Sequence, residues 1–188
     1  MGRDADVERL RSGDHGALGP LLGRFGQRLY RFLLRLVRDA STAEDLFQQT
    51  WVRAVERIGR YDPHREFAPW LFAVARNLAI DELRRLRPES LDEAEEPGRH
   101  AGVAEDVERR YIETFERDQR VRQVRHALGE LSVADREALT LRFEDEMTLP
   151  QMAEVLGVPL PTAKARLYRA MTRLEERLRA LDPRRSWA

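Results

Sequence analysis

Apolar residues recur along most of the chain every three to four positions, which is the spacing of an amphipathic helix. No stretch of useful length alternates with the period of two that a half-buried β-strand requires. Helical periodicity covers, approximately, residues 17–38, 41–58, 68–86, 118–131, 132–143, 148–156 and 160–181. The pattern therefore predicts an all-α protein whose helices fall into two groups.

The segment between the two groups has a different composition. Residues 87–120 carry 6 basic and 11 acidic side chains, and the run 91–96 is Leu-Asp-Glu-Ala-Glu-Glu. A segment with so few large apolar residues cannot bury a core of its own. We therefore predict two small helical domains, residues 1–86 and 118–188, joined by an acidic flexible linker over 87–117.

Local signals predict where several helices begin and end. Ser41 with Glu44, and Thr148 with Gln151, have the spacing of a capping box, in which each side chain bonds to the other residue's backbone N–H group. Gly157 follows the short helix opened by Thr148, and glycine is the residue that most often ends a helix. We expect helices to begin after Ser41 and Thr148.

The segment 149–168 has the pattern of a helix-turn-helix, with the turn at Gly157. The second helix places polar residues on one face and apolar residues on the other. The apolar residues, which we expect to face inward, are Ala163, Leu167, Ala170, Met171, Leu174, Leu178 and Leu181. A recognition helix has this arrangement, because short polar groups contact base edges and arginines contact phosphates or guanine. The alternative is an ordinary solvated face of a helical hairpin. The outward residues are Thr162, Arg166, Arg169 and Arg173, with Lys164 and Ala165 beside them.

The third helix of the first group has a second unusual face. Aromatic rings beside arginines and an amide suit single-stranded DNA, because rings stack on unpaired bases and an amide can bond to a base edge. The alternative is that Phe67 and Trp70 belong to the core and the arginines are merely solvated. The residues concerned are Trp70, Asn77, Asp81 and Arg84 on one stripe, Arg76 and Arg85 beside it, and Tyr61, Asp62 and Phe67 in the preceding loop.

A third polar face lies on the helix predicted over 41–58. Asp45, Gln48 and Gln49 point away from its apolar stripe, together with Val52 and Glu56. By itself this pattern indicates a solvated face.

Several classes of function are excluded or unsupported. The chain has no cysteine, which excludes disulfides, thiolate catalysis and cysteine-ligated zinc. Its 4 histidines are far apart, and it has no P-loop, no G-x-S-x-G and no G-x-G-x-x-G motif. We expect no cofactor and no metal, and no pattern predicts an enzyme. No apolar run approaches the ~18 residues of a membrane span, and the N-terminus lacks the apolar core of a signal peptide, so we expect a cytoplasmic protein.

Three segments in order resemble the sigma-70 family of bacterial transcription initiation factors, specifically the compact extracytoplasmic-function group. AEDLFQQT at 43–50 resembles the region 2 helix that docks on the clamp helices of the polymerase β′ subunit. FAPWLFAVARNLA at 67–79 is similar to the segment that melts and captures the −10 promoter element. Residues 131–174 resemble region 4, whose recognition helix contacts the −35 element.

The resemblance implies a role for each polar face. It implies a promoter-specificity factor that binds core RNA polymerase, at the β′ clamp helices and β flap, and promoter DNA, with an anti-sigma protein as a further partner and no small-molecule substrate. Polymerase contact is implied for Asp45, Gln48 and Gln49. Contact with the −10 element is implied for Tyr61, Asp62, Phe67, Trp70, Arg76, Asn77, Asp81, Arg84 and Arg85. Contact with the −35 element is implied for Thr162, Lys164, Ala165, Arg166, Tyr168, Arg169 and Arg173.

Two other functions remain open at this point. A stand-alone helix-turn-helix regulator, with an N-terminal domain that dimerises or senses a ligand, would explain residues 131–181 but neither polar face of the first domain. A nucleic-acid enzyme would use acidic residues such as Asp62, Glu66 and Asp81 around a metal ion, but these carboxylates are scattered among arginines.

Overall fold

The structure, a computed structural model, describes residues 4–86 and 123–181. All regular secondary structure in these two ranges is helical, which confirms the all-α prediction. The acidic linker predicted over 87–117 lies outside the described residues, as do 118–122 and 182–188.

Three long helices form the body of the first half and pack against one another. Large apolar side chains fill the space between them, and the rings of the fully buried Phe32 and Phe72 lie 5.2 Å apart. The elements are α1 (Ala5–Arg11), a 3₁₀ turn (His15–Ala17), α2 (Leu18–Val37), α3 (Ala40–Arg57), a second 3₁₀ turn (Ile58–Arg60) and α4 (Phe67–Leu86).

The second half is built on a helix-turn-helix. Its elements are α5 (residues 123–129), α6 (Val133–Leu139), a π-helical turn (Thr140–Glu144), α7 (Leu149–Leu156) and α8 (Leu160–Leu181). Thr148 and Gln151 form the predicted capping box at the start of α7. Gly157 ends α7 with a φ of 64°, a left-handed conformation that costs glycine little. These two predictions are confirmed.

The predicted start of α3 is wrong by two residues. Arg38 ends α2 in the left-handed conformation with a φ of 59°, and Asp39 is extended. The Asp39 carboxylate accepts a hydrogen bond from the backbone N–H of Thr42 at 2.8 Å, so Asp39 is the cap. Ser41 already lies inside the first turn, where its side chain cannot cap the helix.

The inward face of α8 is narrower than its apolar pattern predicts. Ala163, Leu167 and Ala170 are buried, whereas Met171 and Leu181, which we expected to face inward, are each 40% exposed. Met171 follows directly after a buried position, and a helix turns by about 100° per residue, so its side chain points away from the core.

The two halves pack against each other. Helix α4 lies against α7, and α2 lies against α6. One cluster of buried apolar side chains runs through both halves, including Leu71 and Phe72 of α4 and Met152 and Val155 of α7. The structure therefore describes the predicted polar helix faces in a closed arrangement, in which the two domains are packed against each other.

Candidate nucleic-acid interface

The N-terminal half of α8 exposes most of the predicted recognition face. Lys164 stands near the ring of Tyr168, with its Nζ atom 5.8 Å from the ring centroid, and Tyr168 is 56% exposed. The helix-turn-helix holds this face outward because Ala163 and Leu167 anchor the opposite side in the core. The exposed members are Thr162, Lys164, Ala165, Tyr168 and Arg169.

Two arginines of the same predicted face lie near acidic residues. Arg173 donates a hydrogen bond to Asp135 at 2.7 Å, and the Asp135 carboxylate also accepts one from the Ser132 hydroxyl at 2.8 Å. Arg166 is half-buried, and its charge partly offsets the rise that burial causes in the pKa of the nearby Glu137 carboxylate. Arg173 thereby fixes α8 to the start of α6.

Helix α4 exposes the polar stripe predicted to contact unpaired DNA. Asn77, Asp81 and Arg84 are exposed on one side of the helix, and Arg85 is exposed next to them. The guanidinium of Arg85 donates to the carboxylate of Glu82 at 2.6 Å, and this contact is itself exposed to solvent. The stripe is therefore open to a ligand from the solvent side.

Among the arginines of this predicted site, Arg76 is the one that solvent reaches least. Its Nε atom donates to Glu137 Oε1 at 2.6 Å, and its Nη2 atom donates to Oε2 of the same carboxylate at 3.4 Å. The side chain of Arg76 is 18% exposed and that of Glu137 is 1% exposed. Burial raises the pKa of Glu137, while Arg76 and Arg166 act in the opposite direction.

The aromatic residues form a cluster at the start of α4. Tyr61 and Phe67 are buried and Trp70 is half-buried, with ring centroids 5.3–5.6 Å apart. The Tyr61 hydroxyl donates to the carbonyl of Arg65, which closes the loop, and exposed Asp62 accepts from the backbone N–H of His64 at 3.0 Å. In this conformation Tyr61 and Phe67 serve as core residues, the alternative that the sequence left open for Phe67.

The polar face of α3 is exposed as the sequence predicts. Asp45, Gln48 and Gln49 lie on it, and Val52 beside them is 57% exposed. The opposite face is anchored by Leu46 and Ala54 in the core. This face lies on a different helix from the −10 and −35 candidates.

Two buried carboxylates, Glu137 and Asp145, are not predicted by the sequence pattern. Burial raises the pKa of Asp145 to about 7. The charge of Glu144 also raises this pKa, whereas Arg28 and Arg31 lower it. Its Oδ1 atom accepts from Arg28 Nε at 3.4 Å, while its Oδ2 atom is buried with no hydrogen-bond partner among the described residues. Neither acid is marked by a motif, since Glu137 follows Asp135 and Arg136, and Asp145 stands between Glu144 and Glu146, so each reads as one more charged residue of a polar stretch.

Residues 4–86 and 123–181 contain no group of three or more His, Asp or Glu residues that could hold a metal ion. Over the same ranges, no helix has the length and apolar character needed to cross a membrane.

Both halves match known protein families. Residues 21–89 match the family described as Sigma-70 region 2, and residues 121–174 match Sigma-70, region 4. The RNA polymerase sigma factor CarQ of Myxococcus xanthus is 31% identical over 177 residues, which cover 94% of this chain and 97% of CarQ. The chain belongs to the extracytoplasmic-function sigma factors of the sigma-70 family.

Other sigma factors are similar to this chain over most of their length. The extracytoplasmic-function sigma factor SigW of Bacillus subtilis is 26% identical over 182 residues, or 93% of this chain and 96% of SigW. The solved structure of CnrH, a sigma factor of Cupriavidus metallidurans, in complex with the cytosolic domain of CnrY has a TM-score of 0.67 and 25% identity, covering 93% of this chain and 96% of that chain. The sigma factor described here is thus a promoter-specificity factor for RNA polymerase. Sigma factors are in general specificity factors rather than enzymes.

Proposed function

We propose that this sigma factor binds core RNA polymerase through α3 and promoter DNA through α4 and α8. The observation that carries the proposal is that each matched region exposes a polar helix face anchored from behind by a buried apolar stripe. On α3 the face comprises Asp45, Gln48 and Gln49, which would dock on the β′ clamp helices. The β flap would bind the second domain.

The −10 element would be opened and held by α4 and the loop before it. Asn77 and Asp81 are exposed and suited to base edges, while Arg84 and Arg85 are suited to the backbone. A flipped base would lie beside Tyr61, Phe67 and Trp70 once the loop is free to rearrange. Asp62 and Arg76 complete the proposed −10 site.

The −35 element would be contacted by the first turns of α8. Arg169 lies one turn inside the exposed face, where a side chain can reach a base edge in the major groove. Arg173 lies one turn further and would meet the phosphate backbone, as well as its carboxylate partner Asp135. The remaining members of the proposed −35 site are Thr162, Lys164, Ala165, Arg166 and Tyr168.

The proposal also covers location and partners. Because its partners are RNA polymerase and promoter DNA, the sigma factor would act in the cytoplasm. It would carry out no catalysis of its own and would need no cofactor or small-molecule substrate. An anti-sigma protein is a proposed further partner, because the related CnrH was solved in complex with the cytosolic domain of CnrY. The comparisons give no support to a stand-alone regulator.

The test combines co-purification with transcription. Tagged protein is mixed with core RNA polymerase, the complex is isolated, and run-off transcription is measured on a promoter selected from a randomised library. We expect co-purification and transcripts from one family of promoters. Binding of the isolated chain to palindromic duplex DNA, with no effect on the polymerase, would instead establish the stand-alone regulator.

Asn77→Ala tests the −10 assignment within that assay. Exposed Asn77 is expected to hold an unpaired base, so its loss should lower transcription on a duplex promoter and also on one already mismatched at the −10 element. Gln27→Ala, which removes an exposed amide from α2, is the matched control and should leave both activities unchanged. Full activity of Asn77→Ala on both templates would remove Asn77 from the site.

A further inference from the structure

Arg136 on α6 is a buried arginine without a carboxylate partner among the described residues. It is 8% exposed, and no other arginine of the described ranges is buried to this degree. Its two acidic neighbours in the sequence are bound by other arginines. Asp135 pairs with Arg173 at 2.7 Å. Glu137 pairs with Arg76 at 2.6 Å. Within the same ranges Arg136 itself forms no ion pair.

Arg38, which directly follows α2, donates to the same carbonyl oxygen as Arg136. The Nη1 atom of Arg38 donates to the carbonyl oxygen of Gly129 at 2.7 Å. The Nη1 atom of Arg136 donates to that oxygen at 3.3 Å and to the carbonyl oxygen of Leu131 at 3.1 Å. Burial, together with the charge of Arg38, lowers the pKa of Arg136 to about 10. One arginine from each half of the chain therefore contributes to a concentration of positive charge at the end of α5.

The carbonyl groups offset only part of the charge on these two arginines. The carboxyl end of a helix carries about half a negative charge, whereas Arg38 and Arg136 carry one positive charge each. The Nε atom of Arg136 is buried with no hydrogen-bond partner among the described residues. A buried charge is normally paired, because taking an ion out of water is costly unless an opposite charge offsets the loss. The arrangement therefore calls for a negatively charged partner.

Gly129 provides the space that the Arg38 guanidinium occupies. A Cβ atom at position 129 would lie 3.1 Å from Nη2 and 3.5 Å from Cζ of Arg38. The first of these distances is shorter than an ordinary van der Waals contact, so a side chain at 129 would displace the guanidinium. Two like charges repel each other, and an anion bound between them would stabilise both.

We propose that Arg38 and Arg136 bind a phosphate-type oxyanion beside the end of α5. Arginine presents a planar fork of N–H donors that matches the oxygens of a phosphate, and the carbonyl contacts of both residues use Nη1 only. A phosphate monoester carries about −1.5 to −2 charges near pH 7, which matches two arginines. Because Arg136 is 8% exposed, the site suits a small ion or the terminal phosphate of a nucleotide rather than a DNA strand. Neither arginine belongs to the proposed polymerase and promoter contacts.

The test is a calorimetric titration of the full-length chain with inorganic phosphate, in chloride buffer at constant ionic strength. The control is Arg53→Gln, which removes an exposed arginine from α3. We expect the wild type and this control to bind one phosphate with equal affinity. Arg38→Gln should bind about tenfold more weakly, because it loses charged donors to the anion. Gly129→Ala keeps both charges but displaces the Arg38 guanidinium, so its binding should be several-fold weaker.

A second titration, with the nucleoside diphosphate ADP in place of phosphate, distinguishes the two sources of the anion. Binding of ADP that is about tenfold tighter than that of phosphate, and that Arg38→Gln weakens, would identify a nucleotide as the ligand. Equal or weaker binding of ADP would identify the free ion, and both results support the site. Absence of phosphate binding by the wild type would overturn the proposal. An equal loss of affinity in Arg38→Gln and Arg53→Gln would also overturn it, because it would show diffuse attraction to an arginine-rich surface.

Melting temperatures separate a binding site from a purely structural contact. A ligand that binds only the folded chain stabilises it, so phosphate at constant ionic strength should raise the melting temperature of the wild type and of Arg53→Gln. The rise should be absent in Arg38→Gln and reduced in Gly129→Ala. If circular dichroism shows that Arg38→Gln does not fold, Gly129→Ala, in which every charge is kept, provides the comparison. A rise as large in the folded variants as in the wild type would contradict the proposed site.

Discussion

Two buried carboxylates carry the contact between the domains, and each is held by arginine in a different way. Glu137 receives two donors from Arg76, so its charge is matched despite almost complete burial. Asp145 has one side-chain contact with Arg28 at 3.4 Å and one buried oxygen without a partner. Removing Arg76 would leave Glu137 buried without its partner, and the loss of one member of a buried ion pair costs about 3–5 kcal/mol. Stability at this boundary therefore depends on single residues.

The stability of the closed chain should fall as the pH rises through the pKa of Asp145. Burial raises this pKa to about 7, so at pH 5 the packed chain holds a proton on Asp145 that a solvated aspartate would have released. The stability gained from this proton is complete below the pKa of a solvated aspartate. It is lost as the pH rises to about 7. We expect Asp145→Asn, which cannot ionise, to melt at a higher temperature than the wild type at pH 8, by a margin that shrinks towards pH 5.

Melting curves at a series of pH values check this expectation. Arg28, Arg31 and Glu144 stay in place in the variant, so only the ionisation of Asp145 differs. Asp62→Asn serves as the control, because Asp62 is exposed. A difference between Asp145→Asn and the wild type that does not vary with pH would contradict the raised pKa.

At the scale of the element, we expect α3 to bind the polymerase through exposed side chains that the stability of the fold does not require. Asp45→Arg together with Gln48→Ala changes exposed side chains only, and such changes usually cost less than ~0.5 kcal/mol of stability. We expect the double variant to lose binding to core polymerase while its helicity and melting temperature stay close to those of the wild type. Arg57→Ala at the end of the same helix is the control. Recovery of the double variant with polymerase at wild-type yield would show that another face docks.

Helix α8 should separate base recognition from backbone contact. Loss of a two-pronged base contact costs ~1–3 kcal/mol at one position of the site, whereas loss of a phosphate contact weakens all sequences alike and lowers the salt slope by about one. We expect Arg169→Ala to broaden selection at one or two −35 positions. Arg173→Ala should lower affinity uniformly and cost a little stability as well, since it also loses Asp135.

Transcription of a randomised −35 library by each holoenzyme checks this pair of variants, with salt-dependent promoter binding measured alongside. Altered base preference in Arg173→Ala but not in Arg169→Ala would mean that α8 sits in the groove with a different rotation. No effect from either variant would exclude the helix-turn-helix as the DNA-binding element.

Much of the fold could be predicted because its signals are local. The capping box at Thr148, the glycine turn at Gly157 and the apolar stripes depend on residues within one or two turns of a helix. The start of α3 was missed for a local reason too, because Asp39 and Ser41 are both good caps and the left-handed Arg38 decides between them.

What could not be predicted involves residues far apart in the chain. Arg76 pairs with Glu137 across 61 positions, and Arg28 pairs with Asp145 across 117. No periodicity or motif connects such residues, since the pairing depends on how two independently recognisable domains pack. The polar face of α4 was identified as a surface feature, yet its partial occupation by the second domain is a property of the whole molecule.

At the scale of the whole molecule, the two domains share one apolar core. Small domains bury a limited fraction of their surface and are correspondingly marginal when alone. Each half therefore gains stability from the other, in addition to the ion pairs at the boundary. The chain should behave as one cooperative unit while closed and as two units when opened.

Calorimetry of the full chain at pH 8 tests this coupling. We expect the wild type to unfold in a single transition, because the halves share buried side chains of α4 and α7. Arg28 lines a cleft of about 250 Å³ together with Glu66, Asp145 and Glu146. Arg28→Glu should split the single transition into two, since the new carboxylate would repel these three acids. Arg53→Glu, on the exposed side of α3, makes the same charge change away from this cleft and should keep one transition. Two transitions in the wild type would show that the halves fold independently and that the shared core does not couple them.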